Sequence, residues 1–171
     1  MTIDSGTAII LWTARFAVAL YLGRLLLRAG STTRFPSVTE AAVWSCGAIV
    51  FLTHVAAAFQ FAHGWSHAAA CEHTARQTAA VTGLDWGGGI YLNYAFTLWW
   101  VVDVIAVLVA ARRQRPLPPG YRRLADVFFG FMVLNATVVF GARWWLVVAV
   151  VWLILWIVVR RKRGPVAVQT A

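Results

Sequence analysis

The chain has 171 residues, of which 61% are hydrophobic and only 12% are charged, and its mean hydropathy is +0.71. Soluble domains contain about 45–50% apolar and about 25% charged residues, so this composition excludes an ordinary soluble protein. The net charge of +9 lies in short basic runs beside apolar segments, so we expect no nucleic-acid partner. The composition predicts an all-α fold, an integral membrane helix bundle in a lipid bilayer.

Five apolar runs follow one another along the chain, and a helix that crosses a bilayer needs roughly 20 apolar residues. The runs cover 7–27, a stretch from Ser37 or Thr39 to about Ala62, 90–111, 124–140 and 142–159. A single helix through the last two would be about 54 Å long, which exceeds a hydrocarbon core of about 30 Å. We therefore predict a tight hairpin at Gly141 and about five transmembrane helices.

Two polar stretches interrupt the apolar runs. Residues 64–89 contain Gly64, where the chain can bend, then a stretch that continues the helix or forms a second short one, and a turn with three consecutive glycines. Residues 112–123 contain three prolines and five arginines, a composition typical of a linker. The predicted organisation is one transmembrane domain at 1–164, with a helix-turn segment at 64–89, and a disordered tail at 165–171.

The basic residues predict the direction in which the chain crosses the membrane. With five spans, twelve of the 15 Lys and Arg residues fall on one face, and the opposite face holds only Arg76 and Arg143. Because cytoplasmic loops carry an excess of Lys and Arg, we expect the amino terminus outside and the carboxyl terminus in the cytoplasm. The 64–89 segment then faces outward from the inner (cytoplasmic) membrane.

The four histidines all lie between His54 and His73. His63, His67 and Cys71 are spaced by four residues, which places them on one face of a helix, and two ligands at that spacing can share a metal ion. His63 and Cys71 would lie about 12 Å apart along such a helix, so other side chains would have to complete the site. The candidates are His73, His54, Glu72 and Asp85.

Imidazole and thiolate ligands favour zinc or copper, and histidine is also an axial ligand of haem. The alternative is that these residues are polar side chains at the membrane surface, bonded to backbone, lipid head groups or water. The second cysteine, Cys46, would lie about 37 Å from Cys71 along a continuous helix, so we expect no disulfide between them.

Charged side chains within a membrane usually face the bundle interior and pair with one another. Arg15 and Asp103 lie within the first and third predicted spans, and their depths differ by about 6 Å, which a long arginine side chain can cover. We therefore predict an ion pair between Arg15 and Asp103. Gln60, Asn93 and Asn135 fall within about two turns of the outer surface, so they either line a polar pocket beneath the histidines or bond between helices.

Three functions are compatible with these features, and no catalytic motif decides whether the chain is an enzyme. The first is an outward-facing His/Cys site that binds a metal or haem for redox chemistry, metal handling or metal-assisted chemistry. The second is a non-catalytic subunit or helper that contacts other membrane subunits. The third is a small oligomeric transporter that uses Arg15, Asp103 and His54, although the chain shows no internal repeat.

Overall fold

The computed structural model describes residues 4–162, and in this range the chain is helical, without β-strands. The helices are α1, Ser5–Gly30; α2, Val38–Ala58; α3, His67–Thr82; α4, Gly89–Arg113; α5, Pro119–Leu134; and α6, Trp144–Lys162. α2 and α5 each continue into one π-helical turn, Phe59–His63 and Asn135–Val139. The predicted all-α fold is confirmed, and the tail predicted at 165–171 lies outside the described residues.

Capping side chains decide where the first three helices begin. The first N–H groups of a helix have no partner inside the helix. Asp4, Ser37 and Ser66 each accept a hydrogen bond from such a group, in α1, α2 and α3 respectively. α2 therefore begins directly after Ser37, which is one of its two predicted starts.

α2 does not continue into α3. Gly64 and Trp65, which follow the π-helical turn, have left-handed φ values of +53° and +59°. Left-handed residues cannot extend a right-handed helix, so the chain bends here and starts a new helix after Ser66. Of the two predicted alternatives for this segment, the structure contains the second, a separate short helix.

α1, α2, α4 and α5 alternate in direction. Thr13 of α1 lies beside His54, whereas Arg24, further along α1, lies beside Glu40 at the start of α2, so these two helices are antiparallel. Along α4, the contact with Phe51 comes before the contact with Trp44, so α2 and α4 are antiparallel. The contact with Phe129 likewise comes before the contact with Tyr121, so α5 and α4 are also antiparallel. The end of the bundle that carries α3 is called the α3 end below, and the other is the opposite end.

α6 runs parallel to α1 and lies along its outside. Its first residue, Trp144, has its ring 5.6 Å from Arg15 Cζ, and the indole N–H of Trp152 donates to the carbonyl of Leu22 at 3.1 Å. Because α5 runs the other way, the chain reverses between α5 and α6, as the predicted hairpin requires. A side chain on Gly141 in this reversal would collide with the carbonyl of Thr137.

The core of the bundle is aromatic. Trp44 and Trp100 are 0% and 2% exposed, and their rings stack with centroids 4.6 Å apart. Phe129 of α5 packs against both rings, and Gly47 leaves the space in which α2 meets Trp100, since an added Cβ would lie 3.1 Å from that ring. Aromatic pairs of this kind contribute about 0.5–1.5 kcal/mol beyond the area they bury.

Four helical segments in the described range are long and apolar enough to cross a membrane: Ser5–Gly30, Val38–His63, Gly89–Arg113 and Trp144–Lys162. The remaining predicted span, 124–140, is not among them. It corresponds to α5, whose first turns carry Arg122, Arg123 and Asp126 and whose last turn is π-helical.

Candidate functional site

α3 packs against the start of α4 because the glycine turn between them has no side chains in the way. A Cβ on Gly87 would lie 2.7 Å from the carbonyl oxygen of Cys71, and one on Gly89 would lie 3.1 Å from Thr74 Cγ2. The first contact is shorter than real Cβ atoms adopt, so the backbone approach requires glycine at Gly87. This approach brings one face of α3 onto the tyrosines in the first turns of α4.

His67, Cys71, Tyr91 and Tyr94, the His67 group, meet at this contact. Nε2 of His67 lies 3.4 Å from Sγ of Cys71, one helical turn later. Nδ1 of the same ring lies 2.9 Å from the hydroxyl of Tyr94, and the hydroxyl of Tyr91 lies 3.4 Å from Nε2. One nitrogen of the imidazole is therefore held by Tyr94 while the other faces the thiol. His67 is exposed and Cys71 is half-buried, so the group is open to solvent or a ligand.

His63 belongs to a second, separate pair. It ends the π-helical turn, and its ring meets that of His73 edge to face, with centroids 5.2 Å apart. The ring of Phe59 also packs against His63, with centroids 5.7 Å apart. The left-handed residues after His63 break the predicted helical row, so His63 does not continue the line of His67 and Cys71.

His54 lies elsewhere, between α1 and α2. Its Nδ1–H donates to the carbonyl of Ile10 at 3.0 Å, and the hydroxyl of Thr13 lies 3.4 Å from the same nitrogen. The ring of Phe51 packs beside it at 6.0 Å. This half-buried histidine therefore forms a contact between two helices.

The predicted ligands consequently form two pairs and one isolated histidine. Within residues 4–162 no group of three or more His, Cys, Asp and Glu side chains is arranged to hold a metal ion. All four histidines lie in helical turns, not in a loop. The structure does not bring His73 or His54 to His67 and Cys71. His73 follows Cys71 by two residues on α3, about 200° around the helix, and contacts His63, whereas His54 lies on α2 beside Ile10.

The other polar candidates either have local partners or are exposed. Glu72 pairs with Arg76 one turn later on the exposed face of α3, and Asp85 is exposed in the turn before α4. Gln60 accepts a hydrogen bond from the indole of Trp65 at 2.8 Å, and Asn135 donates to the carbonyl of Phe131 at 2.8 Å. Asn93 is exposed on α4. Gln60 and Asn135 thus make their side-chain hydrogen bonds within their own segments.

A buried ionic network, not predicted as such, occupies the opposite end of the bundle. Asp103 is 2% exposed and accepts three hydrogen bonds, from Arg24 Nη1 at 3.3 Å, from the indole of Trp44 at 2.8 Å and from the hydroxyl of Tyr121 at 2.8 Å. The partner of Asp103 is thus Arg24 and not the predicted Arg15. The guanidinium of Arg24 also lies over the Trp44 ring, at 3.9 Å.

The network extends to the surface through a second arginine. Nε of Arg24 donates to Glu40 at 3.3 Å, and Nε of Arg28 lies 3.8 Å from the same carboxylate oxygen. Arg28 also makes a bidentate pair with Asp126 of α5, at 2.6 and 2.9 Å. A crevice beside these groups has a volume of about 20 Å³, enough for one water molecule. Ion pairs between these side chains therefore join four helices, α1, α2, α4 and α5.

A sequence signal for this network exists in α1. Ala17, Tyr21, Arg24 and Arg28 are spaced by three or four residues, the period of one helix face, and the first three are buried. The arginines near the end of α1 therefore belong to the packed face. Arg15 is two residues from Ala17, about 200° around the helix, so it points away from that face.

No protein-family model, curated protein or solved structure matches this chain.

Proposed function

We propose that the chain is a multi-pass protein of the cytoplasmic membrane, with its amino terminus and α3 outside and its carboxyl terminus in the cytoplasm. The basic residues support this orientation, since Arg112, Arg113 and Arg160 follow spans at the opposite end. α5 is a fifth crossing in this proposal. It runs antiparallel to both α4 and α6, so the chain must cross between them.

We propose that the His67 group is the functional site and that it binds one zinc or copper ion through Nε2 of His67 and Sγ of Cys71. The observation that carries this proposal is their separation of 3.4 Å. Zn–N bonds of about 2.0 Å and Zn–S bonds of about 2.3 Å at a tetrahedral angle put the two ligand atoms about 3.5 Å apart. The side chains thus already lie at the spacing that a shared ion requires.

Tyr94 supports the same assignment. A histidine that binds a metal commonly donates its other ring N–H to an outer partner, which fixes the tautomer and the ring orientation. The hydroxyl of Tyr94, 2.9 Å from Nδ1 of His67, is placed to accept that proton. Binding would release the thiol proton of Cys71, because the thiolate is the ligand.

A site with only two protein ligands is suited to metal handling rather than to a structural role. A structural zinc site is closed by four ligands, whereas an ion on His67 and Cys71 keeps open positions for a donor or acceptor molecule. The His63 and His73 rings contact each other at 5.2 Å, so we do not assign them to haem, whose macrocycle would need the space between two axial ligands.

The test is metal titration of the purified full-length chain, with Zn²⁺ and, under anaerobic reducing conditions, with Cu⁺. We expect one ion per chain, and we expect His67→Ala and Cys71→Ser to abolish binding. Tyr94→Phe should weaken binding by about 10-fold or more, the usual effect of an outer-shell change. Cys46→Ser is the matched control, because Cys46 is an exposed thiol on α2 outside the group. Unchanged binding by His67→Ala and Cys71→Ser, or no binding by the native chain, would overturn the proposal.

A second candidate, a non-catalytic subunit of a membrane complex, is favoured by α6. This helix has no buried residue and leaves large apolar side chains such as Val147, Val150 and Ile154 exposed. A fixed partner that co-purifies in mild detergent, together with full activity of that complex after His67→Ala, would support the subunit role over metal handling.

A further inference from the structure

Arg15 lies in an open groove between α1 and α6. The groove has a volume of about 460 Å³ and is lined by Trp12, Arg15, Phe16, Ala19, Trp144, Trp145 and Val148. The guanidinium Cζ of Arg15 lies 4.8 Å from the Trp12 ring and 5.6 Å from the Trp144 ring. Arg15 is the only charged residue in this lining.

The positive charge of the groove has no partner in the described part of the chain. Arg143 directly precedes Trp144 and is exposed, and among residues 4–162 no carboxylate lies within ion-pair distance of Arg15 or Arg143. Arginines near the membrane surface attract anionic lipid head groups, so an anion from outside the chain is the complementary partner.

α6 locates this groove relative to the bilayer. α6 has 19 residues, a length of about 28 Å at 1.5 Å per residue, which matches a hydrocarbon core of about 30 Å. Trp144 and Trp145 at its start suit the interfacial aromatic belt, and Arg160 lies near its other end. Since Arg15 lies beside Trp144, it lies at the boundary between head groups and acyl chains.

The apolar part of the groove leads from this boundary toward the bilayer centre. Phe16 and Ala19 follow Arg15 on α1, and Val148 lies one turn after Trp144 on the parallel helix α6. A ligand with an anionic group at the level of Arg15 and a hydrocarbon chain below it would match both parts.

We propose that this groove is a binding site for an anionic phospholipid, whose phosphate contacts Arg15 and Arg143 and whose acyl chain lies along Phe16, Ala19 and Val148. A phosphatidylglycerol-type lipid has this chemistry, while a zwitterionic lipid offers no net negative charge to the two arginines. The site is independent of the His67 group, which lies on other helices.

The test compares phosphatidylglycerol with phosphatidylcholine added to the full-length chain in neutral detergent. We expect phosphatidylglycerol to raise Tm by several degrees more than phosphatidylcholine, and native mass spectrometry to detect one retained phosphatidylglycerol. Arg15→Gln should lose both effects. Ala19→Phe, which fills the groove and keeps the charge, should lose them as well. Arg76→Gln is the matched control, because Arg76 is an exposed arginine paired with Glu72 on α3.

Three results would overturn the proposal. The first is an equal response to the two lipids, and the second is a phosphatidylglycerol response that survives both Arg15→Gln and Ala19→Phe. The third is an equal rise in Tm with inorganic phosphate, which would assign the arginines to a free anion. If Arg15→Gln does not fold, Ala19→Phe and its retained-lipid count decide the outcome.

Discussion

Asp103 is the residue on which the opposite end of the bundle depends. It accepts hydrogen bonds from three helices, through Arg24, Trp44 and Tyr121. Removing one member of a buried ion pair is costly, since it leaves the other charge buried and uncompensated. The negative charge of Asp103 therefore contributes more to stability than its hydrogen-bonding geometry does.

We predict that Asp103→Asn lowers the free energy of unfolding by about 3 kcal/mol, the lower end for breaking a buried pair because Glu40 remains beside Arg24. Tyr121→Phe removes one hydrogen bond to the charged carboxylate and should cost about 1.5 kcal/mol. Reversible unfolding in mixed micelles measures both. In a double-mutant cycle, Asp103→Asn should couple with Arg24→Gln and be additive with Arg15→Gln. Coupling to Arg15 instead would restore the pair expected from the sequence.

Asp4 makes the start of α1 sensitive to pH. A hydrogen bond from the hydroxyl of Thr7, followed by those from the backbone N–H groups of Thr7 and Gly6, holds the pKa of Asp4 below its usual value. A folded-state pKa below the unfolded value of about 3.9 means that the ionised carboxylate stabilises the helix start. This stability is present above the unfolded pKa and is lost as the pH falls through the folded pKa.

We therefore predict that Asp4→Asn accelerates amide hydrogen exchange in the first turn of α1 at about pH 6, and that this difference from the native chain shrinks toward about pH 2. Exchange in the first turn of α2, which Ser37 caps, provides the control because this turn lies at the opposite end of the bundle from Asp4. A difference that stays constant with pH would show that the charge of Asp4 contributes nothing.

At the level of elements, the glycine turn is what places α3 on α4. Gly87 touches the backbone of Cys71, so any side chain there must push α3 away. Because overpacking costs about 1–3 kcal/mol, we predict that Gly87→Ala lowers stability by that amount. It should also weaken metal binding by the His67 group, because His67 would leave the hydroxyl of Tyr94.

Gly120→Ala is the matched control for this prediction, since an added Cβ there has no atom within 4 Å. Hydrogen exchange within α3 and Tm would be measured for both variants. Equal behaviour of the two would mean that the close approach of Gly87 to Cys71 does not hold α3 in place.

For the whole molecule, the orientation in the membrane can be tested with the two native thiols. Cys46 and Cys71 are both free. In a Cys46→Ser background we predict that a membrane-impermeant maleimide labels Cys71 in intact cells. Thr32→Cys in a chain without native cysteines should be labelled only after permeabilisation, because Thr32 lies in the exposed α1–α2 connection at the opposite end. The reverse pattern would place α3 in the cytoplasm.

Helix positions were predictable from the sequence because they depend on local properties. Apolar runs and capping residues such as Ser37 indicated where helices lie, and Gly141 indicated the reversal before α6. Within α3, the spacing of His67 and Cys71 also sufficed to place them on one face. The position of Arg15 relative to the ends of the other helices was not predictable from α1 alone, because α6 begins beside Arg15 and not at the level of the first residue of α1.

The apolar helices and the one-turn spacing of His67 and Cys71 follow from the sequence alone, since both depend on residues near each other in the chain. The pairing of Arg24 with Asp103, the contact of Tyr94 with the ring of His67 and the separate position of His54 became apparent in the folded chain. These contacts join different helices. Their formation depends on how each helix is rotated about its axis and at what level it meets its neighbours, which packing sets and composition does not.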